Sequence, residues 1–505
     1  MEELIEKISE TIHSLDISLA GRLLAYDHAQ PLLFNTCLFM LLFAVFMMLY
    51  TLMRRSNRAK MILVIAFSLY FYWKSSAECC FILLGVCVSD YLLGLWMGKA
   101  ANNAVRRLIV SINVVANVGM LVYFKYINLI LDTFASMRGT DFDPLDIILP
   151  AGISFFTFRS ISYIVDLYRR KLEPCRNMLD YIFFLTFFPP LLAGPVVRAV
   201  DMLPQIRANN PATRAMVGEG FFLIMSGLIK KVVIADYISG NFVDRIFENP
   251  TLYSGIENVF GTIGFTLQLY CDFSGYSDMA IGIALLMGYR FKDNFDAPFK
   301  SQSPTEFWRR WHISLSTWLR DYIYIPLGGN RKGKVRQNAN LMTTMLIGGI
   351  WHGAGWMYLL WGGFHGLLLV GHKGLKGVLP HNPLVEKAGG LVRFVNIVIT
   401  FTLVVIGFTF FRCTSLENLN DMTTQIFMAF HPEVFVQFAM AYALILTAMG
   451  VGFALHYSPK SWSKYMLGKY IAMPIVIQAI VFAIIIFIVI QTRQSSLVPF
   501  VYLQY

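Results

Sequence analysis

Charge is what this sequence has least of. Only 14% of its 505 residues are Asp, Glu, Lys or Arg, while 56% are hydrophobic. A soluble chain carries about 25% charged residues. The shortage excludes a single aqueous globule, because no one core could hide so much apolar surface, and it makes lipid the main solvent. The net charge of +11 therefore does not imply nucleic acid: the lysines and arginines collect in short loops between apolar runs, the pattern that orients a membrane protein. Cysteine is sparse and unpatterned. Cys37, Cys79, Cys80, Cys87, Cys175, Cys271 and Cys413 show neither zinc-ligand nor disulfide-framework spacing and read as buried thiols. A basic n-region is missing too. Residues 1–30 begin acidic and do not read as a cleavable leader, and Leu4, Ile5, Ile8, Ile12 and Leu15 recur at helical spacing, which predicts an interfacial helix.

What is present is a long series of apolar runs. They cover 31–53, 61–75, 79–98, 108–133, 146–168, 178–199 and 217–240, then 256–288, 339–372, 391–411, 434–456 and 470–491. Allowing for broken or doubled runs, they predict an all-α polytopic membrane protein with about 11 to 13 transmembrane helices. Pro189-Pro190 and Gly194-Pro195 interrupt 178–199. Irregular backbone at membrane depth survives only when protein shields it, so this run is expected to be re-entrant. The loops 54–60, 99–107 and 169–176 are basic and 135–146 is more acidic, which places the N-terminus outside. No inverted repeat and no detachable soluble domain is visible.

Polar chemistry enters at three places. The first is 267–291, with Asp272, Ser274, Tyr276, Ser277 and Asp278. A carboxylate in a membrane segment marks either a functional site or a pairing or capping role. "FSGYSD" is not the G-x-S-x-G of a nucleophile elbow. The second is "SPTEFWRRWHISLSTWLRDYIYIPLGGNRKG" (303–333). Ser303, Pro304 and Glu306 signal a helix start. Phe307, Trp311, Leu315, Trp318 and Tyr322 then form one stripe, with Trp308, His312, Ser316 and Leu319 beside it. Arg309, Arg310, Arg320 and Asp321 make this helix a poor span, so it is expected at the interface or inside the fold. Taken alone, its His312 reads more readily as a hydrogen-bonded structural residue than as a catalytic one. Arg331, Lys332, Lys334 and Arg336 follow without the hydroxyl of a phosphate-binding loop. They suit a cytoplasmic anchor or attraction of an anionic donor.

The third is "IWHGAGWMYLLWGGFHG" (350–366), which sets two histidines among glycines and tryptophans. His352 lies 16 residues past Arg336, about 24 Å along a helix at ~1.5 Å per residue. That depth makes an ionised imidazole expensive and a neutral, proton-accepting ring the expected state. Gly353 and Gly355 leave room for another chain or a substrate. His365 and His372 share a helical face without further ligands, and no metal is expected.

"FWRRWHISLSTWLRDYIYIPLGGNRKG" followed by "GGIWHGAGWMYLLWGGFHG" resembles the membrane-bound O-acyltransferase (MBOAT) family. The likeness is narrower to its bacterial branch of alginate O-acetyltransferases and D-alanine exporters for teichoic acid. "ILPAGISFFTFRSISYIVDLYRRKLEP", "LLAGPVVRAVDMLPQI" and "LQLYCDFSGYSDMAIGIALLMGYRFKDNFDAPF" extend it over about 145 to 372. "VSDYLLGLWMG" and "MLVYFKYINLIL" look more like the alginate-acetylase type. The resemblance implies an MBOAT fold, with re-entrant and interfacial helices around a thin central layer where a cytoplasmic donor tunnel meets an outer opening. It divides the chain into an interfacial helix (1–30), peripheral helices (31–144), a catalytic core (145–372) and C-terminal helices (373–505). It implies His352 as the catalytic histidine and His312 as the second. Trp308, Arg309, Asp272, Ser274, Tyr276, Trp351 and Gly353 become candidate substrate contacts, and Arg331, Lys332, Lys334 and Arg336 candidates for drawing in the donor. The expected enzyme is an O-acetyltransferase of the bacterial inner membrane with no tightly bound cofactor. Its co-substrate is acetyl-coenzyme A or an acyl-carrier protein. Its partners, besides lipid, are a polysaccharide acceptor and a periplasmic SGNH-hydrolase-like acyltransferase. D-Alanyl transfer from a small acidic carrier protein, a glycan transporter, and a hydrolase using Ser274 or Ser277 are the rival readings.

Overall fold

The computed structural model describes residues 17–27, 31–378, 389–492 and 500, and among these every regular element is helical. Helix α1 spans Ile17–Leu24. The apolar positions 4 to 15 that predict an interfacial helix lie outside the described residues. The first half continues with α2 (Cys37–Leu52), α3 (Asn57–Ser76), α4 (Cys80–Lys99), α5 (Asn103–Leu121) and α6 (Ile127–Arg138). Next come α7 (Ile153–Tyr168), α8 (Met178–Thr186), α9 (Ala199–Ala208) and α10 (Arg214–Leu228). The second half holds α11 (Asp244–Glu248), α12 (Gly255–Leu286), α13 (Pro304–Arg310), α14 (Ile313–Leu319), α15 (Gly333–His352) and α16 (Trp356–Val378). It ends with α17 (Gly389–Arg412), α18 (Leu416–Met428), α19 (Phe435–Ala441), α20 (Ala443–Tyr457), α21 (Lys460–Ala472) and α22 (Ile475–Thr492).

Five helical stretches among the described residues are long and apolar enough to cross a membrane: Cys37–Arg55, Asn57–Lys99, Asn103–Arg138, Gly389–Arg412 and Ile475–Thr492. A sixth arises if Pro432–Ala441 and Ala443–Tyr457, set at 89°, count as one broken span. Asn57–Lys99 has 43 residues, about 65 Å at ~1.5 Å per residue. That is enough for two passes, and the stretch breaks at Ala77, whose φ is 42°. The remaining runs counted towards 11 to 13 spans take a different form. In 145–372 they are helices packed inside protein, several of them broken, while Gly255–Leu286 runs unbroken for 32 residues. The run with the prolines is helical only over Met178–Thr186, then continues irregular and buried through Phe187, Phe188, Leu191 and Leu192. Arg159 of α7, itself fully buried, supports that irregular chain: its guanidinium donates to Leu185 O at 3.2 Å and to Pro190 O.

Helix α12 runs through the centre, buried on nearly all sides along its 32 residues. Its closest neighbour is α10, and glycines set that closeness. A Cβ at Gly227 would lie 2.5 Å from Gly275 O and one at Gly275 2.8 Å from Gly227 O; Gly220 and Gly282 face each other in the same way at 2.8 and 2.5 Å. Small residues allow this backbone-to-backbone contact, which lipid alone does not drive. Two apolar cores result. One gathers α2 to α5 and α7 to α9 with Trp318 and Trp351. The other gathers α17 to α20 with Trp311, Trp361 and Phe411.

The glycine contact is testable. Gly227→Val should lower thermal stability in detergent by several degrees, an overpacking cost of about 1–3 kcal/mol. Gly119→Ala, with nothing within 4 Å of the new methyl, should leave the melting temperature unchanged.

Candidate active site

The helix that the stripes predict over 303 to 322 begins as expected. Pro304 occupies the first turn and Ser303 Oγ accepts from Glu306 N at 3.2 Å. The Glu306 carboxylate does not close a capping box; it accepts from Gln302 N at 2.9 Å and from Arg310 at 2.8 Å. The helix then stops. Trp311 is extended and His312 is left-handed, with φ 41° and ψ 57°, before α14 resumes at Ile313. Periodicity could not show this break, because its cause is remote in sequence. Residues 294–296 take over the backbone hydrogen bonds: Asp296 N donates to Arg310 O at 2.9 Å and Ile313 N to Asn294 O at 2.8 Å. A non-glycine residue held left-handed costs of order 1–3 kcal/mol and persists only where its surroundings over-determine it.

Asn294 also sets the chemistry of His312. Its Nδ2 donates to Ser277 Oγ at 3.1 Å, so its Oδ1 is the end that accepts from Ser314 N at 3.2 Å and Ser314 Oγ at 2.8 Å. His312 Nδ1 stands 3.1 Å from that same oxygen. Facing an acceptor, Nδ1 carries the proton and donates, which makes Nε2 the acceptor of the neutral ring. The ring is fully buried, edge-on to Phe273 at 4.6 Å.

His352 arrives from another direction, as the last residue of α15. Helices α15 and α16 form a hairpin closed by glycine: a Cβ at Gly349 would lie 2.4 Å from Tyr358 O, and one at Gly362 would lie 2.5 Å from Met345 O. The His352 ring is buried at the seam of the two cores. It meets Trp351 at 5.0 Å, Trp361 at 4.9 Å and Phe411 at 5.3 Å, each edge to face. The His312 ring lies 6.1 Å from the same Trp351 ring, so the break at 311–312 and the end of α15 converge on one tryptophan. Trp351 is itself fixed by Nε1 donating to Ser154 O at 3.3 Å.

Trp308 completes the surroundings, 5.7 Å from Trp361 and 5.3 Å from His365. The indole N–H groups of Trp308 and Trp361 and Nε2 of His365 are buried without a protein hydrogen-bond partner. Arg309 is exposed beside them. The space left by Gly353 belongs to Tyr358 of the same hairpin, whose ring a Cβ would strike at 2.1 Å. That close approach, rather than access for another chain, is what the glycine supplies there.

Other candidates lie apart. Asp272 forms a buried ion pair with Lys231, which also holds Asp236 at 2.8 Å. Ser274 is buried in α12, and Tyr276 packs on Phe34 and Phe500 at 4.9 and 4.3 Å. It is Phe273, not these three, that brings α12 to His312. His372 meets Thr305 at 3.1 Å. Among the described residues no three His, Cys, Asp or Glu side chains are grouped as metal ligands. Arg331, Lys332, Lys334 and Arg336 are all exposed, at the start of α15. Nearby, Arg169 donates to Asp321 O at 3.0 Å and Arg198 pairs with Asp321 at 2.8 Å. Asp321 thereby ties the end of α7 to the turn that precedes residues 331–336. Residues that sequence reasoning missed include Asn294, Trp361 and Phe411. Asn294 sits in the quoted "KDNFDAPF" block without a signal of its own, and nothing around Phe411 marks it.

Comparison with known proteins adds an independent line. The profile of MBOAT, the membrane-bound O-acyltransferase family, matches residues 170–416. The probable alginate O-acetylase of Pseudomonas syringae pv. tomato is 42% identical over 408 residues, covering 78% of this chain and 74% of that protein. The peptidoglycan O-acetyltransferase of Helicobacter pylori is 35% identical over 418 residues, covering 77% and 78%. The teichoic acid D-alanyltransferase of Streptococcus thermophilus is 30% identical over 292 residues, covering 54% and 69%. The matched profile holds both histidines and the break between α13 and α14, and the two O-acetylating relatives extend the match over more than three quarters of the sequence: this chain is an acyltransferase enzyme and belongs to the membrane-bound O-acyltransferase family.

Proposed function

We propose that the protein moves an acetyl group from a cytoplasmic thioester, acetyl-coenzyme A or an acyl-carrier protein, to a hydroxyl on an exported polysaccharide or on a periplasmic partner protein. The observation that carries this reading is the convergence of His312 and His352 on Trp351 from separate helix breaks. The names of the relatives, an alginate acetylase and a peptidoglycan acetyltransferase, support acetyl as the group and a glycan as the destination. We place it in the bacterial inner membrane, in keeping with the bacterial sources of these relatives, and assign it an SGNH-hydrolase-like acyltransferase as periplasmic partner.

His352 takes the proton from the acceptor hydroxyl as its oxygen attacks the thioester carbonyl. The tetrahedral intermediate collapses, the carbon–sulfur bond breaks, and the departing thiolate receives the proton from His352. His312 has its Nδ1–H committed to Asn294, so its Nε2 suits orienting a hydroxyl by accepting from it. The developing oxyanion needs donors, and the buried indole N–H groups of Trp308 and Trp361 are suited to that role. The exposed residues Arg331 to Arg336 raise the local concentration of an anionic donor, whether coenzyme A or an acidic carrier.

In lipid nanodiscs, with labelled acetyl-coenzyme A and an alginate oligosaccharide, His352→Ala should lower turnover by about 10²–10⁴-fold. Ser274→Ala should stay near wild type. Full activity of the His352 variant would refute the assignment. Incorporation of D-alanine from a charged carrier protein, with none of acetyl, would instead favour the activity named for the more distant relative.

Asn294→Leu removes the acceptor that fixes the His312 proton. Its kcat should fall about tenfold or more while donor KM changes little, and Asn294→Asp, which restores an acceptor, should recover part of the loss. Equal kcat in all three proteins would remove Asn294 from the account.

A further inference from the structure

An α-helix ends with four carbonyls that lack intrahelical partners, and in α15 those carbonyls include the one on His352 itself. The groups that take three of them come from neither α15 nor α16. Between α5 and α6 the chain makes a π-helical turn, Val122–Tyr126. From that turn Tyr126 donates its hydroxyl to Ile350 O at 2.7 Å. Lys125 Nζ donates to Trp351 O at 2.9 Å and to His352 O at 3.0 Å. Three consecutive carbonyls are thus held by two consecutive residues more than 220 positions earlier in the chain. This turn also lies outside the region matched by the family profile, 170–416.

A lysine inside the apolar stretch Asn103–Arg138 is expensive, and such residues mark function by default. An isolated cap would need no charge, since a hydroxyl satisfies the neighbouring carbonyl of Ile350. The ammonium does what a hydroxyl cannot. Its several donors hold two adjacent carbonyls at once, at the helix end where the macrodipole favours a basic group. Gly353 follows in an extended conformation, with φ −162°, so the chain leaves the helix directly at the residue being held. Narrow tolerance is expected here, because a displacement of 1 Å costs about 10²-fold in a well-oriented reaction.

We propose that Lys125 is a positioning residue for acyl transfer, fixing the backbone of His352 and through it the place of the imidazole. This rests on the reading of His352 as the proton acceptor. The peripheral helices α5 and α6 thereby become part of the catalytic apparatus rather than packing around it.

The test uses the full-length protein in nanodiscs, with labelled acetyl-coenzyme A and the alginate oligosaccharide, and measures kcat and donor KM separately. Lys125→Met should lower kcat about tenfold or more with donor KM within twofold of wild type. Lys125→Arg, which keeps the cation and its several donors, should recover much of the loss. Tyr126→Phe, which frees one carbonyl, should have the smaller effect. Loss of thermal stability with kcat within twofold of wild type would make Lys125 a cap for folding only and overturn the proposal. Where Lys125→Met does not fold, Lys125→Gln replaces it with the same expected loss, and a wild-type kcat again overturns it. His352→Ala separates the two claims. If that variant is inactive while Lys125→Met is fully active, this inference alone fails. If His352→Ala is fully active, the reading of the site fails first.

Discussion

Inside a bilayer there is no water to receive a backbone carbonyl, so every place where a helix stops must find its partners within the protein. This constraint organises the structure. Three helix breaks are each met by groups from another element. Arg159 donates to Leu185 O and Pro190 O, supporting the irregular chain after α8. Asn294 and its neighbours take the hydrogen bonds given up at Trp311 and His312. Lys125 and Tyr126 receive the end of α15. Two of these breaks carry the histidines. The two histidines stand where regular helix is interrupted, and groups from other elements bond the interrupted ends.

Close packing supplies the rest. Glycine pairs bring α10 onto α12 and α15 onto α16 at distances that a methyl group would forbid. That tightness places the end of α15 between two apolar cores, with Trp351 belonging to one and Trp361 and Phe411 to the other. His352 is consequently walled by aromatic edges on several sides. Residues beyond the recognisable motifs take part. Gly407 of α17 admits His365, whose Nε2 a Cβ would approach to 2.7 Å. Lys460 of α21 pairs with Asp296, on the segment that carries Asn294. The C-terminal helices, silent in the sequence, buttress the site.

Much of this was legible from residue order. The scarcity of charge and the length of the apolar runs give the membrane class. The prolines and glycines of 178–199 mark a broken run, and the histidine-bearing motifs point to acyl transfer. Other features lay beyond any local reading. The 303–322 stretch has helical periodicity on both sides of His312, and the partners that replace its hydrogen bonds at the break, Asn294 and Asp296, lie outside it. Asp272 reads from the sequence as either a functional or a paired carboxylate, and its partner Lys231 lies forty-one residues earlier. Gly353 reads as an opening until Tyr358 fills it. Lys125 did carry a signal, a lone cation in an apolar stretch, but the carbonyls it serves follow only from the fold.

The most direct measurement is a cryo-electron microscopy structure of the full chain in lipid with a non-hydrolysable analogue of acetyl-coenzyme A, its sulfur replaced by methylene. The account predicts the acetyl carbonyl beside His352, its oxygen facing the indoles of Trp308 and Trp361, and the pantetheine arm leading towards Arg331 to Arg336. An analogue bound with its acetyl end remote from both His312 and His352 would contradict it.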